Sequence, residues 1–597
     1  MRKIHTFDEP REDWTPLLVT AKTILTADED APRASAMLIA GERIVAVGTA
    51  DECRDAAGFL GLTAPRELDL GDVTITPGFI DPHTHPLMHG QMRMWVDCGP
   101  SQAATIPEIV ALLQQRAAET TGDGPIRGYG YEHRNLAEGR HPTRHELDAV
   151  ATDREVYLMN ASGHGGVVNS FTLEKYGVTR DTPNPPGGEF FRDSEGELTG
   201  ELSDAACNIL TGVEGVKIGN HGPNLHLGDS IEDHIEQLRT AQDSFLRGGV
   251  TAVGDCQVTR REFDMYLRLA DTGDLKIRYN MYFLSHLLDE GLEIGMRGAF
   301  GNGYLSFAGF KFYADGTLGG WTAYFPDGYA GDPCRTGMLY HEPAEYSELI
   351  RRAHEAGLQT ATHAQSPDAI GMVLDAIEAA QDAHPRPDAR HRIEHCGLPS
   401  SEQIERMAKL GVHPVNQTQH YYNWGEGVVD AIGEAGARFN PLGEFEAEGV
   451  PVTLSSDAPV ADPLPLQAIQ TAVTRTTARG AQLGDANLRI SVESAFAAHT
   501  IAGARALGRE DDLGSITPGK RADFVVLGGN PLEVDPTTIQ DIPVLQTWVG
   551  GTAQFDSAEQ AAAAVSAAAA TATATATTTA AATATATSAT KEGSASW

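Results

Sequence analysis

The sequence predicts an α/β protein: a barrel of βα units, a small β-sandwich built from both chain ends, and an inserted α+β segment. Three observations carry that reading. The middle of the chain alternates short apolar runs with helix-like stretches, the pattern of βα units that close into a barrel. The two ends carry only short strands. Between about residues 120 and 215 the alternation weakens and Pro/Gly-rich connections appear, as in 182–188 (TPNPPGG), which marks an insertion folded over the barrel mouth. At 597 residues the chain is too long for one compact core, and 41% hydrophobic residues suffice for several.

Taken in order, the chain opens with strands at 17–20 (LLVT), 36–40 (AMLIA) and 43–47 (RIVAV), the last two separated by the turn residues Gly41 and Glu42. An apolar run over 73–80, broken only by Pro77 and Gly78, leads into DPHTHP. Further strands fall at 250–253, 307–312 and 452–454, with helices at 346–356 and 367–380. Thr143 and Glu146 form a capping box that opens a helix over 147–150. Strands at 524–527 (FVVL) and 544–549 (VLQTWV) complete the chain-end unit. The implied boundaries are 15–78 with 510–556 for the sandwich, 79–120 with 216–509 for the barrel, and 121–215 for the insertion. From Ser557 to the end runs an Ala/Thr tract in which threonine opposes the helix that alanine favours, so 557–597 is expected to be a disordered tail.

Lys and Arg number 45 against 82 Asp and Glu, a formal charge of −37. That balance argues against nucleic acid and anionic membrane surfaces as partners, since both attract positive fields. The six cysteines are dispersed and contain no CxxC pair, so neither a disulfide framework nor a thiolate zinc site is expected. They read as small buried apolar residues. The N-terminal stretch MRKIHTFDEPREDW has no apolar secretory core, and no run is long enough to span a bilayer. A cytoplasmic location is the expectation.

The chemistry is carried by six side chains in distinctive settings: His83 and His85 in PGFIDPHTHP, Lys311 in GFKFYADGTLGG, His363 in TATHAQ, His395 in RIEHCG and Asp457 in LSSDAP. An HxH pair alone decides nothing, because among 21 histidines chance supplies about one such spacing. Context raises it. Residues two apart on a strand face one side, and the pair directly follows an apolar run, at the strand end where barrels place their reactive groups. His363, His395 and Asp457 each follow a similar short run. Singly, His363 and His395 read as core or loop histidines and Asp457 as a helix cap. A lysine in an apolar run is less ordinary, because burial demands a partner or a changed charge state. Carbamylation by carbon dioxide would make Lys311 an anionic bridge. Together the set suits one or two divalent ions, and histidine-rich ligation favours zinc. Such a cage turns water into a nucleophile.

These segments, with HPTRHELDAV, SGHGGVVNS and LGSITPGKRADFVVL, resemble the amidohydrolase superfamily over about residues 17–555. Within it they are similar to the amidohydrolase 3 branch, which includes N-substituted formamide deformylases. The resemblance implies a distorted (β/α)8 barrel with a β-sandwich and an inserted domain. It implies one metal on His83, His85 and Asp457, a second on His363 and His395, and a carbamylated Lys311 bridging them. Metal-activated hydroxide would attack the carbonyl, with Asp457 as general base. A homodimer is the family-level expectation. One departure stands out: the branch has an HAIGD-like run after the fourth ligand, whereas His363 here is followed by Ala364, Gln365 and Ser366.

The expected activity is hydrolysis of a non-peptide C–N bond, most simply of a small N-substituted formamide or related amide. A cyclic amide, imide or ester is the alternative, and a metal-stabilised regulatory protein without turnover is the reading from another class. For substrate contacts, His164 sits between glycines in the insertion and is a candidate to reach the carbonyl oxygen. His420, Tyr421, Tyr422 and Trp424 are candidates for an apolar wall, with Trp95 and Trp321 as minor ones. His141 and His145 lack the HExxH order of a zinc helix, no GxSxG elbow occurs, and Gly128-Tyr129-Gly130 lacks the third glycine of a dinucleotide loop.

Overall fold

The computed structural model describes residues 15–62, 64–120, 122–211, 227 and 229–561. The barrel consists of β1 (Phe79–Thr84), β2 (Val250–Val258), β3 (Arg278–Leu284), β4 (Leu305–Tyr313), β5 (Gln359–Ala364), β6 (Arg392–His395), β7 (His413–Asn416) and β8 (Thr453–Leu454). These strands are parallel neighbours in chain order. The ring is drawn together between β8 and β1, where Asp457 N–H donates to His83 O at 3.0 Å and His85 N–H to Ala458 O at 2.8 Å. Every position of β4 is buried, which is why it reads as a continuous apolar run: a parallel barrel strand is covered on both faces.

The helices flank the ring as the alternation predicts. Pro343–Glu355 starts on a proline, and Pro367–Ala383 is capped by the Ser366 side chain accepting from Ala369 N–H. Both begin close to their predicted positions. After His85, helix Pro86–Arg93 packs against Ile231–Arg247 so tightly that a Cβ on Gly90 would lie 1.8 Å from Gln237 O.

The two chain ends form one β unit. Thr74–Pro77 pairs antiparallel with Phe524–Leu527, joining the N-terminal strands to Phe524–Leu527, Val544–Val549 and Thr552–Asp556 in a single eight-stranded sheet. Val19, Ile24 and Met37 share an apolar interior with Phe524, Val526 and Trp548. The expected sandwich is thus hydrogen-bonded through as one sheet whose halves enclose a common core. It is riveted to the barrel by Arg278 at the start of β3, which makes a bidentate pair with Asp523 at 2.6 and 2.7 Å, both groups almost fully buried.

A six-stranded sheet from Val96–Asp97 to Leu198–Asp204, with its own apolar clusters, lies between β1 and β2 in the chain and begins before the expected insertion boundary at residue 121, within the stretch assigned to the barrel. The Thr143–Glu146 capping box is present, but its helix is Arg144–Asp148, starting directly after the cap instead of at Leu147. Gly128, Tyr129 and Gly130 lie within a strand. Five of the six cysteines are buried as expected and none is paired, while Cys334 is exposed. Among the described residues no helix is long and apolar enough to cross a membrane. Residues 562–597, nearly all of the Ala/Thr tract, lie outside the described residues.

Candidate metal centre

The six chemistry-bearing residues converge at the C-terminal mouth of the barrel. His83 is the fifth residue of β1 and His85 follows directly after the strand, so the two-residue spacing turns both rings to one side, 5.3 Å apart. Lys311 is on β4, His363 on β5 and His395 ends β6. Asp457 follows β8. Its Oδ1 lies 3.0 Å from His85 Nε2 and 3.6 Å from His83 Nε2, and Lys311 Nζ is 3.2 Å from His83 Nε2. The His395 ring lies 4.9 Å from His83 and 4.4 Å from His363. Together they line one pocket. His395 (φ 67°) and Asp457 (φ 60°) both adopt left-handed backbone, which non-glycine residues rarely do outside sites that demand it.

Three of the four ligand-type rings are held from behind. His83 Nδ1 is 2.7 Å from Glu394 Oε2, His395 Nδ1 is 2.7 Å from Gln417 Oε1, and His363 Nε2 is 2.8 Å from Gly316 O. In each case one nitrogen is committed and the other is left for the pocket side. Glu394 in turn makes a bidentate pair with Arg392, at 2.7 and 2.8 Å, and all of these groups are buried. Asp81 accepts Ser456 N–H at 2.9 Å and its hydroxyl at 2.6 Å, pinning the segment that carries Asp457.

The protonation states suit metal binding. Burial, and then Lys311, push His83 down to about 4. Burial first, reinforced by neighbouring cationic groups, holds His363 and His395 well below the usual histidine range. The rings are therefore neutral, as ligands must be. Burial opposes ionisation of Asp457, but His83 and His85 outweigh it and hold the carboxyl well below the usual range. Burial lowers the Lys311 ammonium from the ordinary lysine value. Asp457 Oδ1 and His85 Nδ1 are buried without a hydrogen-bond partner, and the donor atoms of His83, His85 and Asp457 lie within 4.8 Å of one another. Orphaned donors of this kind, in an imidazole and carboxylate set, fit a divalent ion of the zinc type. Cys256 lies near His83 and Glu394, and burial pushes its thiol up from the ordinary cysteine value.

The substrate-side candidates fare unequally. His164 does line the pocket, its ring 5.6 Å from His363 and its Nδ1 2.7 Å from Asp204 Oδ1. His420 is not on the pocket wall, but its Nε2 lies 3.5 Å from Asp457 Oδ2, its ring stacks 5.9 Å from His395, and the three offer ligand atoms within 4.8 Å of one another. Tyr421 is a core residue: its hydroxyl donates to Arg475 O at 2.8 Å and the Arg475 guanidinium covers its ring. Trp95 packs on Tyr157 in the core of the inserted unit. Trp321 stacks on Tyr329 and Trp424 lies against His420; neither is on the pocket wall. Beside the ligand set and His164, the wall takes in Met88, Ser162, Gly163, Gln257, Tyr313 and Val460, none of them singled out from sequence. Glu394 was missed too, although a charged pair inside the short strand RIEH is a legible sign that something buried must be held.

The amidohydrolase family profile matches residues 66–554. The chain is 30% identical over 555 residues to an N-substituted formamide deformylase of Arthrobacter pascens, covering 90% of this chain and 98% of that one. It is 31% identical over 553 residues to the protein LONG AFTER FAR-RED 3 of Arabidopsis thaliana, covering 90% and 91%. An uncharacterized metal-dependent hydrolase from Pyrococcus furiosus superposes with a TM-score of 0.68 at 26% identity, over 87% of this chain and 100% of that one. With the profile spanning most of its length and full-length relatives at this identity, the chain belongs to the amidohydrolase family.

Proposed function

We propose that this protein is a metal-dependent hydrolase of a small N-substituted formamide or similar non-peptide amide. The observation that carries the reading is the convergence of His83, His85, Lys311, His363, His395 and Asp457 on one pocket. Family membership and the likeness to a metal-dependent hydrolase support hydrolysis. The named substrate of the Arthrobacter pascens relative supports a formamide.

His83, His85 and Asp457 would hold one divalent ion, zinc by ligand type, and His363 and His395 a second. Lys311, whose ammonium form is disfavoured by burial relative to an exposed lysine, would add carbon dioxide through its neutral amine with loss of a proton and serve as an anionic ligand of the same site. An ion in this position supplies Lewis acidity to a water and a carbonyl. Asp457 is ionised, so it can take a proton from the attacking water and return it to the departing amine nitrogen. An amide needs that return, because its amine leaves only when protonated. Glu394, Gln417 and Gly316 O keep the three rings aimed inward. The test is formate release from a panel of N-substituted formamides by zinc-loaded protein, alongside acyl amines, lactams and esters. No formate from any formamide would remove this substrate class.

A further inference from the structure

His164, partly buried at the pocket, and the fully buried Asp204 form a pair that the metal chemistry does not use. Gly163 (φ 72°) lets the loop turn against Val460, and a Cβ on Gly165 would lie 2.6 Å from Leu202 O, so the histidine is clamped between the inserted sheet and the loop after β8. His164 Nδ1 lies 2.7 Å from Asp204 Oδ1, and the same oxygen accepts the Tyr340 hydroxyl at 3.0 Å. Asp204 N–H donates back to His164 O at 2.7 Å. Asp204 is fully buried and sits in left-handed backbone (φ 47°). His164 lines the pocket, and in the tautomer whose Nδ1–H is given to this carboxylate the Nε2 lone pair is the acceptor left over on the ring.

We propose that His164 is a specificity-determining residue whose Nε2 accepts the N–H of the scissile amide, so that the enzyme prefers secondary amides over tertiary amides and esters. Asp204 and Tyr340 are positioning residues for it. Lone pair meets N–H; an N-methyl amide brings a methyl group to the same place and leaves the acceptor unpaired, which a site built to hydrogen-bond rejects. The inference rests on the amide reading above, and its test separates the two.

The experiment compares kcat/KM for a secondary amide and its N-methyl counterpart in zinc-loaded wild type, Asp204→Ala and Asp204→Asn, with zinc content measured on each. The wild type should prefer the secondary amide by about tenfold or more. Asp204→Ala, which removes the acceptor that sets the ring, should collapse that ratio about tenfold with zinc content unchanged. Asp204→Asn should restore most of the ratio, because one amide oxygen can still accept both His164 Nδ1–H and the Tyr340 hydroxyl. Equal losses on both substrates in Asp204→Ala, or no wild-type preference, would overturn the proposal. If no amide is turned over, the amide reading fails, and nitrogen-15 NMR of the histidines, with His164→Gln for assignment, still decides the pair: Nδ1–H on His164 supports it, Nε2–H sinks it.

Discussion

Replacing Glu394 with Gln changes one atom, and the geometry shows why it should be costly. Glu394 Oε1 accepts Arg392 Nε–H at 2.7 Å, while Oε2 faces both Arg392 Nη2 at 2.8 Å and His83 Nδ1 at 2.7 Å. Three donors meet two acceptors. A glutamine amide must turn its NH2 toward at least one donor whichever way it rotates. The change also strips a fully buried guanidinium of its counter-charge, leaving it the Tyr282 hydroxyl at 2.7 Å and Pro82 O at 2.9 Å. Breaking a buried pair in this way costs about 3–5 kcal/mol. Loosening the support of a ligand histidine weakens metal binding about 10–100-fold. We therefore expect the metal-free variant to lose about 3–5 kcal/mol in urea unfolding, and its zinc affinity to fall by at least the lower of those factors. Stability within about 1 kcal/mol of wild type with unchanged zinc affinity would refute the claim that Glu394 holds both groups.

Asp457→Asn should lower kcat on any hydrolysed substrate by about 10²–10⁴-fold while circular dichroism shows the fold retained. Asp523→Ala leaves Arg278 buried and unpaired between barrel and terminal sheet, so thermal unfolding should report a loss of about 3–5 kcal/mol. Gly90→Ala drives a methyl group into Gln237 O and should cost about 1–3 kcal/mol while displacing the helix that begins after His85, seen as weaker zinc binding. Asp512 is held at about 2: burial opposes ionisation, but Arg509, Arg521 and Arg43 outweigh it. Its folded value lies below the ordinary 3.8, so its contribution is complete above that pH and disappears as pH falls toward 2. A pH series of unfolding midpoints should show a loss of about 1–2 kcal/mol over that window, absent in Asp512→Asn.

The candidate ligand positions at the strand ends were legible because each is tied to a local pattern. A barrel strand announces itself as a short apolar run, and a histidine, lysine or aspartate at its end stands out against it. His83 and His85 needed only the two-residue repeat of a strand, and Lys311 only the oddity of an ammonium among phenylalanines. The chain-end strands at Phe524–Leu527 and Val544–Val549 were equally plain.

The supporting contacts were not legible, because they join segments far apart in sequence. Glu394 reaches back to His83 across 311 positions, Asp81 meets Ser456 across 375, and Asp204 meets His164 across 40. Such pairings depend on strand register and on how the insertion seats against the mouth, which local patterns do not encode. The aromatics failed for a related reason. Tyr421 and Trp95 bury the same surface whether they face a core or a cavity, so composition assigns them to neither. Residue type and local pattern suffice to single out side chains with metal-binding chemistry and the strand ends on which they ride. Only the closed barrel decided that they share one coordination-sized space and what keeps each ring facing it, because proximity between remote segments is a property of packing and not of the chain.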